Sequence, residues 1–150
     1  MKQGNKIIMA CDVSIHAMVD DVMMILRRHG YEITDAGAEQ VIEDFTDSAE
    51  IVATAIQSGE YQRGILFCGS GIGVCIAANK FRGVRAGLAY DIFPAALSCI
   101  DYNTNVLCTG IWVMESAEQC AKMIETWLMV QYSGRDEEGM KQLEWIEEQS

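Results

Sequence analysis

The segment from Gly64 to Lys80, GILFCGSGIGVCIAANK, constrains this chain more than any other. An apolar run ends in Cys-Gly-Ser-Gly-Ile-Gly and passes directly into a helix-like stretch. A strand that empties through a glycine-rich turn into a helix leaves successive backbone N–H groups facing open space, and the positive end of the helix dipole reinforces them. Such a turn suits a phosphate, a carboxylate or an enediolate oxygen. Gly69, Gly71 and Gly73 supply backbone freedom and close approach, Ser70 adds a hydroxyl, and Ile72 opens the helix. Cys68 stands at the strand end, where ligands bind in open α/β sheets, and a thiol there can act as base or nucleophile. Spacing alone leaves a purely structural turn equally open. G-S-G-I-G lacks the full G-x-G-x-x-G, no Gly-Lys-Ser/Thr follows, and a Cys at a strand end is often an inert buried residue.

The wider chain alternates strand-like and helix-like segments around this turn. Lys6 to Asp12 is a continuous apolar run ending in an acid, as in a buried parallel strand whose carboxyl end meets a site. His16 to His29 carries Met18, Val22, Ile25 and Leu26 at helical spacing, closed by Gly30. Tyr31 to Asp35 is a second strand, and Asp47 to Ser58 a helix with Ile51, Val52, Ala55 and Ile56 on its stripe. Strands over 64–68, 84–89 and 105–108 then alternate with helices over 72–80, 92–100 and 115–130. The only proline, Pro94, falls near a helix start, where its missing N–H costs little. Strict alternation implies an α/β fold with a five-stranded parallel sheet, helices on both faces and right-handed crossovers.

Ser133 and Gly134 separate a tail, 135–150, from the body at 1–134. Its few apolar residues, Met140, Leu143 and Trp145 or Ile146, suit a helix that packs on a neighbouring subunit, because a short isolated helix is marginal in water.

A chain of 150 residues suits one domain with its own core. No window reaches the run of ~20 apolar residues that a membrane span requires, and the polar start with its short apolar run does not read as a signal peptide; a cytoplasmic protein is expected. Six cysteines, at 11, 68, 75, 99, 108 and 120, lie inside apolar segments without a C-x-x-C pair. Reduced thiols are therefore expected, with neither a disulfide framework nor a metal site. A net charge of −11 argues against a nucleic-acid partner.

CD at Cys11 and Asp12, GYEITDAG at 30–37, GILFCGSGIGVCIAANKFRGVRAGL at 64–88 and NTNVLCTG at 103–110 resemble, over nearly the full chain, the family of ribose-5-phosphate isomerase B and the galactose-6-phosphate isomerase subunits. The resemblance implies a Rossmann-like three-layer fold, a homodimer or dimer of dimers with a site built from two subunits, no metal or other cofactor, and interconversion of aldose and ketose phosphates. That chemistry moves a proton between adjacent carbons through an enediolate, so it needs a base and preorganised N–H donors. By position Cys68 matches the family's cysteine base, while the glutamate of the other branch falls at Val74. Gly69, Ser70, Gly71, Ile72 and Gly73 match the oxyanion loop.

Departures from the family's pattern cluster on the substrate side. Asp12 is kept, but Val13 follows it where a histidine is usual, and His16 lies further along as a candidate substitute. Asp101 stands where the family has a ring-opening histidine, and Tyr102 where it has Asn. Trp112 and Gly139 replace arginines that commonly hold the phosphate, while Arg135 has a counterpart. For His16 and Asp101 a solvent-facing or structural role stays open beside the functional one. The substrate is expected to be a sugar or sugar phosphate other than ribose 5-phosphate. A non-catalytic subunit and a sugar-binding sensor of the same fold are the alternatives.

Overall fold

The computed structural model describes residues 6–150. Five parallel strands form one sheet: β1 (Lys6–Ala10), β2 (Glu32–Asp35), β3 (Arg63–Cys68), β4 (Ala86–Leu88) and β5 (Val106–Gly110), in the order β2-β1-β3-β5-β4. The connecting helices are α1 (His16–Arg28), α2 (Phe45–Gln57), α3 (Ile72–Ala78) and α4 (Ile92–Tyr102), followed by α5 (Ala117–Met129) and α6 (Glu137–Gln149). The order reverses between β1 and β3, so the crevice at the carboxyl ends of these strands is the place where an open α/β sheet binds ligands.

Alternation along the strands sorts side chains into two cores. Ile7, Met9, Ile65, Phe67 and Leu107 meet α1, α4 and α5 through Val22, Leu26, Cys99, Ile124 and Trp127. Ile8, Ala10, Leu66, Cys68, Val106 and Cys108 face α2 and α3 through Val52, Ala53, Val74 and Ala78. The second layer lies close: a Cβ on Gly64 would come within 2.4 Å of Val52. The buried Trp127 satisfies its indole N–H with Thr104 Oγ1 at 2.9 Å, and the Arg63 guanidinium lies over its ring.

The alternation expected from the sequence holds for every strand, with small shifts at the ends. Two helical faces differ. The α1 face is Val19, Val22, Met23 and Leu26, while Met18 is exposed. The α2 face is Ser48, Ala49, Val52 and Ala53, with Ile51, Ala55 and Ile56 packed at its rim. The apolar run of β1 stops short of Asp12, because Asp12 turns to cap the 3-10 turn Val13–Ile15, accepting from Ser14 N–H at 2.9 Å.

α6 buries none of its residues. Glu147 accepts from Gly83 N–H at 2.9 Å, while Leu143, Trp145 and Ile146 are each about half exposed. Among the described residues no helix is long and apolar enough to cross a membrane.

Candidate active site

β3 delivers Cys68, nearly buried, to the carboxyl edge of the sheet. The loop beyond folds back on it, and Gly71 N–H donates to Cys68 Sγ at 3.0 Å. Gly71 has φ +81°, a left-handed conformation that glycine adopts without steric cost. A Cβ on Gly71 would meet the Thr109 carbonyl carbon at 2.6 Å, and one on Gly110 the Ser70 carbonyl carbon at 2.5 Å. The loop is thus pressed backbone to backbone against the end of β5. Ser70 Oγ accepts from Ile72 N–H at 3.2 Å, and the ring of Phe45 at the start of α2 lies 3.1 Å from where a Gly73 Cβ would be. Of the loop amides, those of Gly71 and Ile72 already have acceptors; those of Gly73 and Val74 belong to the first turn of α3, whose N–H groups lack an intrahelical acceptor.

Two aromatic residues complete the loop's surroundings. Trp112 N–H donates to Gly69 O at 2.9 Å, and its indole lies against Gly69, so close that a Cβ there would sit 2.4 Å from the ring, yet 80 % of Trp112 is exposed. Tyr90, just past β4, donates its hydroxyl to Ser70 O at 2.6 Å. A cavity of about 50 Å³ opens beside it, lined by Asp91, Thr109, Met114 and Cys120 among others. Sequence reasoning missed Tyr90; the available signal was its place directly after the β4 strand, which the parallel topology carries to the same edge.

Ala10, the last residue of β1, pairs with Leu66 two residues before Cys68, and Asp12 follows just past the end of β1 at the same carboxyl edge of the sheet. His16 lies further toward β2. Its Nε2 lies 2.9 Å from Asp35 Oδ2, its Nδ1 lies 3.7 Å from Asp20, and Asp35 Oδ1 accepts from Gly37 N–H. The three side chains offer ligand atoms within 4.8 Å of one another. His16 opens α1, however, where the helix dipole disfavours a cation, and hydrogen bonds within the group already account for its geometry. Burial, with Asp12, Asp35 and Asp20 nearby, pushes the Cys11 thiol up to about 12.

Asp101, Tyr102 and Arg135 lie elsewhere. Asp101 and Tyr102 end α4, which begins beside the loop and runs back over about 16 Å to the amino ends of the strands. Ser133 N–H and Oγ both bond Ile100 O, bringing Arg135 into an ion pair with Asp101. One chain therefore gathers Asp12, Cys68 and the loop residues at the carboxyl edge, with His16 to one side, and sets Asp101, Tyr102 and Arg135 at the opposite edge. Gly139, in the first turn of α6, lies under Asp136, whose Oδ1 caps its N–H at 3.0 Å.

Other thiols differ by setting. The hydrogen bond with Cys108 pulls the partly buried Cys75 down, whereas burial holds Cys108 well above the usual thiol range. Cys75 is partly buried, packed beside Val74 and Ala78 against the second core, with its Sγ 3.5 Å from Ala86 O.

Residues 7–143 match the Ribose/Galactose Isomerase family. The chain belongs to this family. Among relatives of this isomerase, 4-deoxy-4-sulfo-D-erythrose isomerase of Clostridium sp. (strain MSTE9) is 35% identical over 135 residues, 89% of this chain and 84% of the relative. Ribose-5-phosphate isomerase B of Escherichia coli (strain K12) is 36% identical over 130 residues, 86% of this chain and 87% of the relative. The solved structure of Clostridium thermocellum ribose-5-phosphate isomerase B superposes with a TM-score of 0.88 at 31% identity, covering 96% of this chain and 98% of that one.

Proposed function

We propose that this member of the family interconverts an aldose and a ketose through an enediolate, with Cys68 as the base. The observation that carries the reading is the Gly71 N–H aimed at Cys68 Sγ at 3.0 Å. A thiolate accepts that bond more strongly than a thiol, as charge-assisted bonds are the stronger class. Cys68 takes the proton from the carbon beside the substrate carbonyl, the loop amides and Ser70 Oγ–H face the developing oxyanion, and Cys68 returns the proton to the neighbouring carbon. Asp12, just past the end of β1 at the same edge as Cys68, orients the substrate hydroxyls, with His16 to one side.

Asp101, Tyr102 and Arg135 serve this site from a second copy of the chain, since in their own chain they stand at the far edge of the sheet. A guanidinium has five donors, so Arg135 can hold Asp101 and the substrate's terminal anion together; a tetrose substituted at carbon 4 stays open-chain, so Asp101 has no ring to open and serves to hold Arg135 in place. Trp112 and Gly139 offer none of the bidentate donors a phosphate favours. The substrate is therefore a short-chain sugar whose end carries less charge than a phosphate; the sulfonated sugar in the name of the Clostridium sp. relative has that property.

The test is solvent proton exchange at the carbon beside the carbonyl, with ribose 5-phosphate, tetrose phosphates and 4-deoxy-4-sulfo-erythrose each offered to the purified protein. Exchange is expected, fastest with the sulfonated sugar, and Cys68→Ala should lower it by about 100-fold or more with the fold retained. Binding without exchange would favour a sensor, and an unimpaired Cys68→Ala would remove the thiol from the mechanism.

A further inference from the structure

The peptide unit joining Ser70 to Gly71 is held at both ends. Its N–H, from Gly71, points to Cys68 Sγ at 3.0 Å, and its carbonyl oxygen, from Ser70, accepts the Tyr90 hydroxyl at 2.6 Å. We propose that Tyr90 is a positioning residue for the Cys68 thiol, acting through this one peptide group. The proposal deepens the reading of Cys68 as the base and rests on it for its consequence in catalysis.

Two physical effects connect Tyr90 to the thiol. Gly71 is left-handed, and a peptide that precedes a left-handed glycine in a tight turn has an alternative orientation, rotated by about half a turn, that also satisfies backbone sterics. That rotation would withdraw the N–H from Cys68 and turn a carbonyl oxygen toward it, replacing a donor by an acceptor that repels a thiolate. The Tyr90 hydroxyl bonds the carbonyl only in the observed orientation. Bonding at the carbonyl also polarises the amide, because chains of hydrogen bonds strengthen one another. The close approach of Gly110 to Ser70 and of Gly71 to Thr109 closes the other side, leaving the Tyr90 side as the one held by a side chain.

Tyr90 is suited to this role. It follows β4, whose register with β5 (Leu88 to Cys108, with Ala89 N–H on Cys108 O) fixes the backbone that carries it. Its neighbour Asp91 then starts α4, with Asp91 Oδ1 facing Ile92 N–H. The ring is partly exposed, so removing the hydroxyl alone leaves the core intact. The titratable groups toward Cys68 are the Cys108 thiol on β5 and Asp12 beyond β1; Tyr90→Phe alters neither.

The experiment compares wild type and Tyr90→Phe by two readouts. The first is the pH dependence of Cys68 alkylation by iodoacetamide, followed on the Cys68 peptide by mass spectrometry. The second is the acid limb of kcat/KM for isomerisation. In Tyr90→Phe both midpoints should move up together by about half a pH unit, roughly threefold in thiolate fraction on the acid side, with thermal unfolding unchanged. An alkylation midpoint that stays at the wild-type value overturns the proposal, even if turnover falls, since a merely structural residue would lower turnover without moving that titration. The two readings separate: if Cys68→Ala is fully active the base assignment fails, while the alkylation shift still tests Tyr90.

Discussion

Gly69→Ala should destabilise the protein through one contact that can be removed by a second substitution. The new Cβ would lie 2.4 Å from two indole carbons of Trp112 and 2.6 Å from a third. Gly69 has no left-handed φ, so alanine is tolerated by its backbone, and the ring it meets is largely exposed and able to swing away. The cost is then the packing of the indole on the loop that is given up, at the low end of overpacking, about 1 kcal/mol. Gly71→Ala differs in both respects. Its φ of +81° adds about 1–2 kcal/mol for a side chain in the left-handed region. Its Cβ meets the Thr109 backbone at 2.6 Å, which cannot move aside, so overpacking adds about 1–3 kcal/mol. Urea unfolding of the single variants and of each in a Trp112→Ala background reads both effects. Trp112→Ala should erase most of the Gly69→Ala loss, a coupling of about 1 kcal/mol, and leave the Gly71→Ala loss unchanged. If Gly69→Ala costs the same with and without the indole, the packing of Trp112 on the loop is not what that glycine serves.

Alkaline titration should lower stability in a defined window. The Cys11 and Cys120 thiols ionise at about 12 in the folded chain, raised by burial from 9.0; the folded state keeps protons that the unfolded state sheds, so their contribution is complete below pH 9 and declines toward 12. The unfolding free energy from urea titrations should fall above pH 9 by up to about 1.4 kcal/mol per pH unit for each thiol, and Cys120→Ala should flatten that decline; an unaltered slope would refute it. Removing the residues after Gly134 should reduce the mass in solution or abolish substrate binding, because α6 buries nothing in its own chain; a truncated protein with native mass and activity would place its apolar stripe outside the interface.

The layers of the fold were legible because a buried parallel strand is apolar on both faces, and GILFC, KIIMAC and NVLC each stop at a glycine, an acid or a Thr-Gly pair. The faces of α1 and α2 were less so. Where apolar residues surround a helix, as Met18, Val19, Val22, Met23, Ile25 and Leu26 do, more than one stripe fits the spacing, and only the position of the sheet selects among them. Within the candidate site, the loop could be read from consecutive residues. For Tyr90 the one signal was its place after β4, and for Trp112's contact with the loop there was none, because each acts on the loop across a strand and its connections, and an exposed aromatic carries no local sign of its partner. The direction of α4 had the largest consequence. Family resemblance assembles Cys68 with Asp101 and Arg135 in one list, but a helix between parallel strands must run back along the sheet, so its last turn ends far from the strand end it started beside.

That separation gives the two-subunit site a quantitative test. If the carboxyl edge of one copy works with the amino edge of another, Cys68→Ala and Arg135→Ala damage different halves of each site, and each homo-oligomer has every site damaged. In a mixed dimer, one site combines both lesions and the other combines an intact Cys68 loop with an intact Asp101–Arg135 pair. Unfolding the two inactive proteins together and refolding at equal amounts makes half the dimers mixed, so about a quarter of all sites regain the full set. Activity should recover to about a quarter of wild type in the mixture, while each variant refolded alone stays inactive. The ion pair makes Arg135→Ala informative beyond charge, since it frees the carboxylate of Asp101; Asp101→Asn mixed with Cys68→Ala should complement in the same way. Recovery that never exceeds the sum of the two variants alone, from a mixture shown to contain mixed oligomers, would mean that each chain completes its own site, and Arg135 and Asp101 would then belong to the fold.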